Sequence, residues 1–264
     1  PRLFHEQIAW IVNDAEDRLL FVDLTFLPVI EKLAAEMPTL EQIVVLTDAA
    51  HMPPTTLTNA VPYEEWLAEA DDDFEWKSFD ENTAAGLCYT SGTTGNPKGV
   101  LYSHRSNVLH AFQAATADMF GCGSRDVIMP VVPMFHANCW SLAFTAPMVG
   151  AAMVMPGAKL DGASIHEMLE VGKVTLTAAV PTVWQMLLGY MESKKLGLTH
   201  LKRVVIGGAA CPRAMTEKFE KVYDVRVAHA WGMTETSPLG TICSIKPETA
   251  DLDIEGKLDL QVKQ

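Results

Sequence analysis

The chain has 264 residues, 48% of them hydrophobic and 20% charged, an ordinary globular composition with material for one large domain or two small ones. A formal net charge of −13 argues against a nucleic-acid partner, and no apolar stretch approaches the ~20 residues that span a bilayer. Five scattered cysteines without a C-x-x-C pair argue against a disulfide framework or a zinc cluster, and Pro1-Arg2-Leu3 opens no signal-peptide pattern, so a reduced, cytoplasmic protein is expected.

In chain order, the pattern predicts a helix over Phe4–Ala15 and an extended segment over Arg18–Asp23. A helix follows from near Pro28 to Met37, with the proline in its first turn where a missing N–H does no harm. Glu41–Leu46 reads as a strand, Thr47–Pro62 as loop and Tyr63–Ala70 as a short helix. The run Asp71-Asp72-Asp73 lies in a solvated linker, 70–83, that separates a subregion of residues 1–75 from one spanning 84–264.

Beyond the linker the rhythm is regular. The apolar strand Ala84–Tyr89 leads into Thr90-Ser91-Gly92-Thr93-Thr94-Gly95-Asn96-Pro97-Lys98-Gly99, then an extended Gly99–Tyr102. A helix is predicted over His104–Phe120, with Val108, Leu109, Phe112, Ala115 and Met119 at helical spacing. Strands Asp126–Val131 and Ala151–Met155 flank a helix over Asn138–Val149. Asp161 and Ser164 can cap a helix through Val171, and strand Val174–Ala179 precedes a helix over Pro181–Tyr190. Strand Lys202–Ile206, helix Pro212–Val222 and strand Val225–His229 complete the series. Alternating units of this length indicate an α/β fold with mostly parallel sheets covered by helices.

The loop Thr90–Gly99 has the chemistry of a polyphosphate cradle: glycines that let N–H groups turn inward, hydroxyls, and the ammonium of Lys98. It is not a Walker A loop, because Lys98 is followed by Gly99 rather than by Ser or Thr. Ligands of parallel sheets bind beyond the carboxyl ends of strands. There the sequence also puts Gly207-Gly208-Ala209-Ala210 after Ile206, and Ala230-Trp231-Gly232-Met233-Thr234-Glu235-Thr236 after His229. Two glycines would let the backbone approach a flat ring, Trp231 offers a face for stacking on a base, and Glu235 can hold a hard cation such as Mg²⁺ opposite phosphates. Taken alone, each reads more readily as a turn, a core aromatic or a surface charge. Their convergence carries the argument. No metalloprotease His pair accompanies His5-Glu6, and no G-x-S-x-G elbow occurs.

These three segments resemble the hallmark motifs of the acyl-adenylate-forming superfamily. Val132-Pro-Met-Phe-His136 followed by Asn138-Cys-Trp140, and Val180-Pro-Thr-Val-Trp184, are similar to its acyl-site motifs, and Ser103-His104-Arg105 is in keeping with the fatty-acyl-CoA synthetases. The resemblance implies part of the large N-terminal domain of that fold. It also implies a reaction in two halves: a carboxylate attacks the α-phosphorus of Mg-ATP, and coenzyme A then takes the acyl group from acyl-AMP. It assigns Ser91, Gly92, Thr93, Thr94, Gly95 and Lys98 to the β- and γ-phosphates, Thr90 and Glu235 to Mg²⁺, and Thr234 to the α-phosphate. Gly207, Gly208 and Ala209 would lie along the adenine, Trp231 would stack on it, and Gly232 and Met233 belong to the same motif. His136, Trp140, Val180, Thr182 and Trp184 would border the acyl pocket, although His136 reads equally as a buried, hydrogen-bonded histidine and Trp140 as a core residue.

By the same resemblance, the ribose-binding Asp, the hinge and a mobile C-terminal domain with the acyl-activating lysine fall beyond Gln264. The 264 residues alone are then expected to bind nucleotide weakly and catalyse poorly. Apolar edges of a shortened sheet would favour association, for instance as a homodimer. A medium- or long-chain fatty acid is the expected substrate, with aryl, short or thioether acids and a non-catalytic nucleotide-binding remnant as alternatives.

Overall fold

The computed structural model describes residues 3–90 and 95–261, so Ser91, Gly92, Thr93 and Thr94 of the predicted cradle lie outside the described residues. The chain divides into two compact units, Pro1–Asp80 with Tyr89–Val100, and Glu81–Cys88 with Leu101–Gln264.

In the first unit, α1 (His5–Asp14), β1 (Leu19–Val22), α2 (Leu27–Leu33), β2 (Gln42–Val45), β3 (Ala60–Pro62) and α3 (Tyr63–Ala68) follow one another. β1, β2 and β3 form a parallel sheet in that order. Ala9 and Val12 of α1, with Ile30 and Leu33 of α2, pack on Ile43 and Val45 to make its core. The predicted loop Thr47–Pro62 therefore ends in a strand. Its proline closes the strand, where an absent N–H removes little from the ladder. The helix predicted to Met37 is α-helical only to Leu33 and tightens into a 3₁₀ turn over Ala34–Glu36.

β4 (Ala84–Thr90) and β5 (Lys98–Ser103) pair as a two-stranded ribbon, and the division between the units runs through it.

The second unit continues with α4 (His104–Ala115), β6 (Val127–Pro130), the single turn α5 (Ala137–Trp140), α6 (Leu142–Val149), β7 (Ala152–Met153) and α7 (Gly162–Val171). Next come β8 (Leu176–Ala179), α8 (Pro181–Lys194), β9 (Arg203–Ile206), α9 (Arg213–Glu217), β10 (Arg226–Gly232), β11 (Leu239–Ile242) and α10 (Ile254–Gln261). The six-stranded sheet has the order β11-β10-β9-β8-β6-β7, parallel except for the antiparallel pair β10–β11.

Alternation along the strands separates two cores. Ile128, Leu176, Ala178, Val205 and Ala228 face Ala114, Leu142 and Ala146, while Met129, Val204, Ile206 and Val227 face Ile165, Leu169, Leu187 and Phe219. Cover on both faces explains why β8 is buried at every position, as a central parallel strand must be. Each fully buried leucine here contributes about 2 kcal/mol of apolar transfer. Asp161 caps α7 by accepting from the N–H of Ala163 and of Ser164, each at 3.0 Å.

Three changes of predicted boundary bear on the site. The helix from His104 stops at Ala115, and its buried stripe is His110, Ala111 and Ala114; Val108, Leu109 and Phe112 are exposed. The helix predicted from Asn138 begins at Leu142, because Ala137–Ser141 all have positive φ, 42° to 68°, and form a left-handed turn. β10 runs on to Gly232, so Trp231 and Gly232 sit in the strand and not in a loop after it. No helix among the described residues is long and apolar enough to cross a membrane.

Candidate nucleotide and acyl site

At the carboxyl ends of β9 and β10 the second unit opens into a cleft of about 310 Å³, lined by Gly208, Ala209, Ala210, His229, Ala230, Trp231 and Gly232. Two of the three glycine-bearing segments picked out in the sequence thus meet on one edge. His229 braces them from beneath. Its Nε2 accepts from the N–H of Cys211 at 3.3 Å, which leaves the proton on Nδ1 to be donated to the carbonyl of Gln261 at 3.0 Å. The turn Gly207–Ala210 is thereby tied to β10 and to the last residue of α10.

The flat ring that Gly207 admits is a side chain of the protein itself. A Cβ there would lie 2.8 Å from the carbonyl oxygen of Ala230 and 3.3 Å from the indole of Trp140, while one at Gly208 (φ +76°) would lie 3.1 Å from Val180. Trp140 and Val180, two predicted acyl-site residues, therefore pack against the glycines assigned to the adenine. Trp140 is carried there by the left-handed turn, which has no glycine to relieve it. Left-handed conformation costs roughly 1–2 kcal/mol per residue for L side chains, and such strain persists where the surroundings enforce it. The bond from Cys139 Sγ to the carbonyl of Val132, at 3.2 Å, is one of those enforcing contacts.

Trp231 is 49% exposed, with its six-membered ring lying over Gly240 of β11 and the indole forming one wall of the cleft. Gly232 is required by its neighbour: a Cβ would sit 1.9 Å from the carbonyl oxygen of Pro238. Met233 and Glu235 are exposed and Thr234 is half-buried. The N–H of Met233 donates to Thr236 Oγ1 at 2.9 Å, closing a short 3₁₀ turn that presents Glu235 to solvent. Glu235 makes no ion pair among the described residues, and no group of three or more His, Cys, Asp or Glu gathers there to hold a metal. One exposed carboxylate is the donor set that Mg²⁺ takes when phosphates and waters supply the rest.

Two residues that the sequence did not single out fix this segment. The hydroxyl of Tyr102, buried on β5, donates to the carbonyl of Thr234; burial first, and then the charges of Cys88 and Glu235, push its pKa up to about 12. His110 of α4 accepts from the N–H of Leu239 at 3.2 Å through Nε2, while its buried Nδ1 has no partner among the described residues. Burial holds its pKa down to about 4. No motif points to either: Tyr102 lies on the short strand β5, and His110 lies on the face of α4 that carries small residues, away from Val108, Leu109 and Phe112.

Among the other acyl-site residues, His136 is exposed, which removes its reading as a buried histidine, and Thr182 is exposed on the first turn of α8. Trp184 is a correction. Fully buried, with its ring edge-on to Phe219 at 6.0 Å, it belongs to the core and has no surface with which to line a pocket.

The remaining sites belong to the first unit. Tyr89, which leads into the cradle, is held by α1: its hydroxyl donates to Asp14 at 2.7 Å and its ring meets Trp10 edge-on at 5.9 Å. Thr90 Oγ1 donates to the carbonyl of Lys98 at 3.4 Å, Gly95 has φ +85°, and the Lys98 ammonium is exposed with no ion pair among the described residues.

A family model described as AMP-binding enzyme matches residues 1–258. The chain belongs to the AMP-binding enzyme family. Among its relatives in that family, a 3-methylmercaptopropionyl-CoA ligase of Ruegeria pomeroyi is 46% identical over all of this chain and 49% of its own length. A medium-chain-fatty-acid–CoA ligase of Ectopseudomonas oleovorans is 44% identical over all of this chain and 48% of its own. The crystal structure of a long-chain-fatty-acid-CoA ligase from Archaeoglobus fulgidus matches with a TM-score of 0.80 at 26% identity, covering 99% of this chain and 50% of that one. The chain spans about half the length of the curated relatives it matches.

Proposed function

We propose that this chain carries the adenine and acyl sites of an AMP-forming acid–CoA ligase, which joins a carboxylic acid to AMP with release of pyrophosphate and passes the acyl group to coenzyme A. The observation that carries the reading is the cleft in which the Gly207–Ala210 turn and Trp231 face each other. Adenine would stack on Trp231 with Gly208 and Ala209 along its edge, and Thr234 would contact the α-phosphate. Glu235 would hold Mg²⁺, whose charge when bound offsets that of the phosphates; adenylyl transfer needs this kind of positioning and neutralisation more than covalent help. Thr90 and Lys98, with the glycine loop, are proposed separately for Mg²⁺ and for the β- and γ-phosphates.

His136, Trp140, Val180 and Thr182 would border the acyl group. A medium- or long-chain fatty acid is the proposed substrate, as for the medium-chain and long-chain relatives. A short thioether acid is the second reading, supported by the name of the 46% identical relative and by the indole of Trp140, which fills space against Gly207 and Gly208. ATP–pyrophosphate exchange driven by a panel of carboxylic acids tests both. Exchange with fatty acids supports the first, exchange with thioether acids alone the second, and exchange with aryl or amino acids alone overturns the two together.

A further inference from the structure

We infer that Gly240 is a positioning residue for nucleotide binding: by carrying no side chain it lets the indole of Trp231 lie flat on β11 and so sets the ring that faces the cleft. The inference rests on the proposed adenine site.

Three observations point to it. β10 and β11 are antiparallel with Ala230 opposite Ile242 and Trp231 opposite Thr241, and the register shifts between Trp231 and Gly232, so that Gly232 meets Leu239. The shift leaves Gly240 beneath the ring. A Cβ on Gly240 would stand 2.6 Å from Cζ3 and 2.7 Å from Cε3 of Trp231, closer than carbon atoms can pack. The positive-φ glycines of the described residues are Gly95, Gly121, Gly150 and Gly208, so the backbone at Gly240 accepts any L residue. Glycine inside a strand forfeits packing and order, and its presence marks a place where something approaches closely. Here that something is the indole. Because the atoms in collision belong to a side chain, and the nearest backbone atom stands at an ordinary 3.4 Å, adding a methyl group turns the whole ring away about its side-chain torsions without breaking the strand. Tyr in place of Trp231 lacks the second ring of the indole and removes the collision.

Covering a strand glycine with an aromatic ring also strengthens a sheet on its own account. The test therefore separates aim from stability. Binding of AMP and of inorganic tripolyphosphate is measured by calorimetry on the 264-residue chain and on Gly240→Ala, Trp231→Tyr, the double variant and Trp231→Ala, with urea midpoints for each. Loss of a well-placed aromatic contact corresponds to about a two- to tenfold weakening. Gly240→Ala is expected to weaken AMP by that factor and to leave tripolyphosphate unchanged. In the Trp231→Tyr background the same substitution is expected to cost nothing, and this comparison decides the matter if Gly240→Ala alone folds poorly. If Trp231→Ala weakens AMP while Gly240→Ala does not, or if the alanine costs the same beside Tyr as beside Trp, Gly240 serves only the sheet and the inference is overturned. If Trp231→Ala itself leaves AMP binding unchanged, the adenine reading fails, and the inference falls with it.

Discussion

His110 makes a prediction that can be worked through from burial alone. It is 5% exposed, its Nε2 accepts from the N–H of Leu239, and burial holds its pKa down to about 4 in the folded chain. In the unfolded chain the same group titrates near the ordinary value of about 6.5. The unfolded state therefore takes up a proton first as pH falls, and the stability that neutral His110 provides is present above about pH 6.5 and lost progressively towards about pH 4. The gap between the two values is worth about 3 kcal/mol in full, of which about 2 kcal/mol is gone by about pH 5. Urea denaturation of the wild type and of His110→Gln at about pH 7.5 and about pH 5 reads it directly. Glutamine keeps an acceptor for Leu239 but cannot titrate, and the remaining histidines and carboxylates behave alike in both proteins. The wild type is expected to lose about 2 kcal/mol more than the variant between the two conditions. An equal loss would refute the argument, because it would mean that His110 titrates in water and is not sealed against the strand.

Further outcomes follow from particular residues. Asp126 accepts from Thr175 Oγ1 at 2.7 Å and from the N–H of Gly123 at 2.9 Å, and it pairs with the largely buried Arg203, so Asp126→Asn is expected to cost about 3 kcal/mol in urea denaturation. Trp184→Ala is expected to cost about 4 kcal/mol by emptying the core beside Phe219, whereas Trp140→Ala is expected to change which acids drive ATP–pyrophosphate exchange at a smaller cost in stability; the same two assays on both variants check it. Glu235→Gln is expected to weaken Mg-ATP and to leave AMP alone, as titrations with and without Mg²⁺ will show.

The doubly covered sheet was legible because strand and helix patterns alternate at regular length beyond residue 84, a rhythm that a parallel sheet covered by helices accommodates. β3 and β11 were not. Ala60-Val61-Pro62 is three residues long with a proline, and Leu239-Gly-Thr-Ile follows another proline and contains the glycine that makes room for Trp231. α10 lacks an apolar stripe that would announce it, burying only Leu258 and Gln261. In α4 the helical period was right and its phase wrong: small residues and a histidine go inward, and larger apolar side chains stay outside. No residue type signals the left-handed turn Ala137–Ser141, since none of its members is glycine, and only the packing around it imposes it.

The site followed the same division. The motifs named the Gly207–Ala210 and Trp231–Thr236 segments, since backbone access and donor chemistry are written in residue types. They could not tell which ring would rest on Gly207, that Trp184 would be sealed in the core, or that Tyr102, His110 and Gly240 would hold the segment in place. Those facts belong to packing between strands distant in sequence.

If the cleft at the ends of β9 and β10 receives adenine, AMP marks it on a map of the backbone amides. Titrating AMP into the isotopically labelled chain is expected to shift the resonances of Gly208–Ala210 and Trp231–Met233 in a saturable way. Saturable shifts confined to other parts of the chain, or none at all, would contradict it.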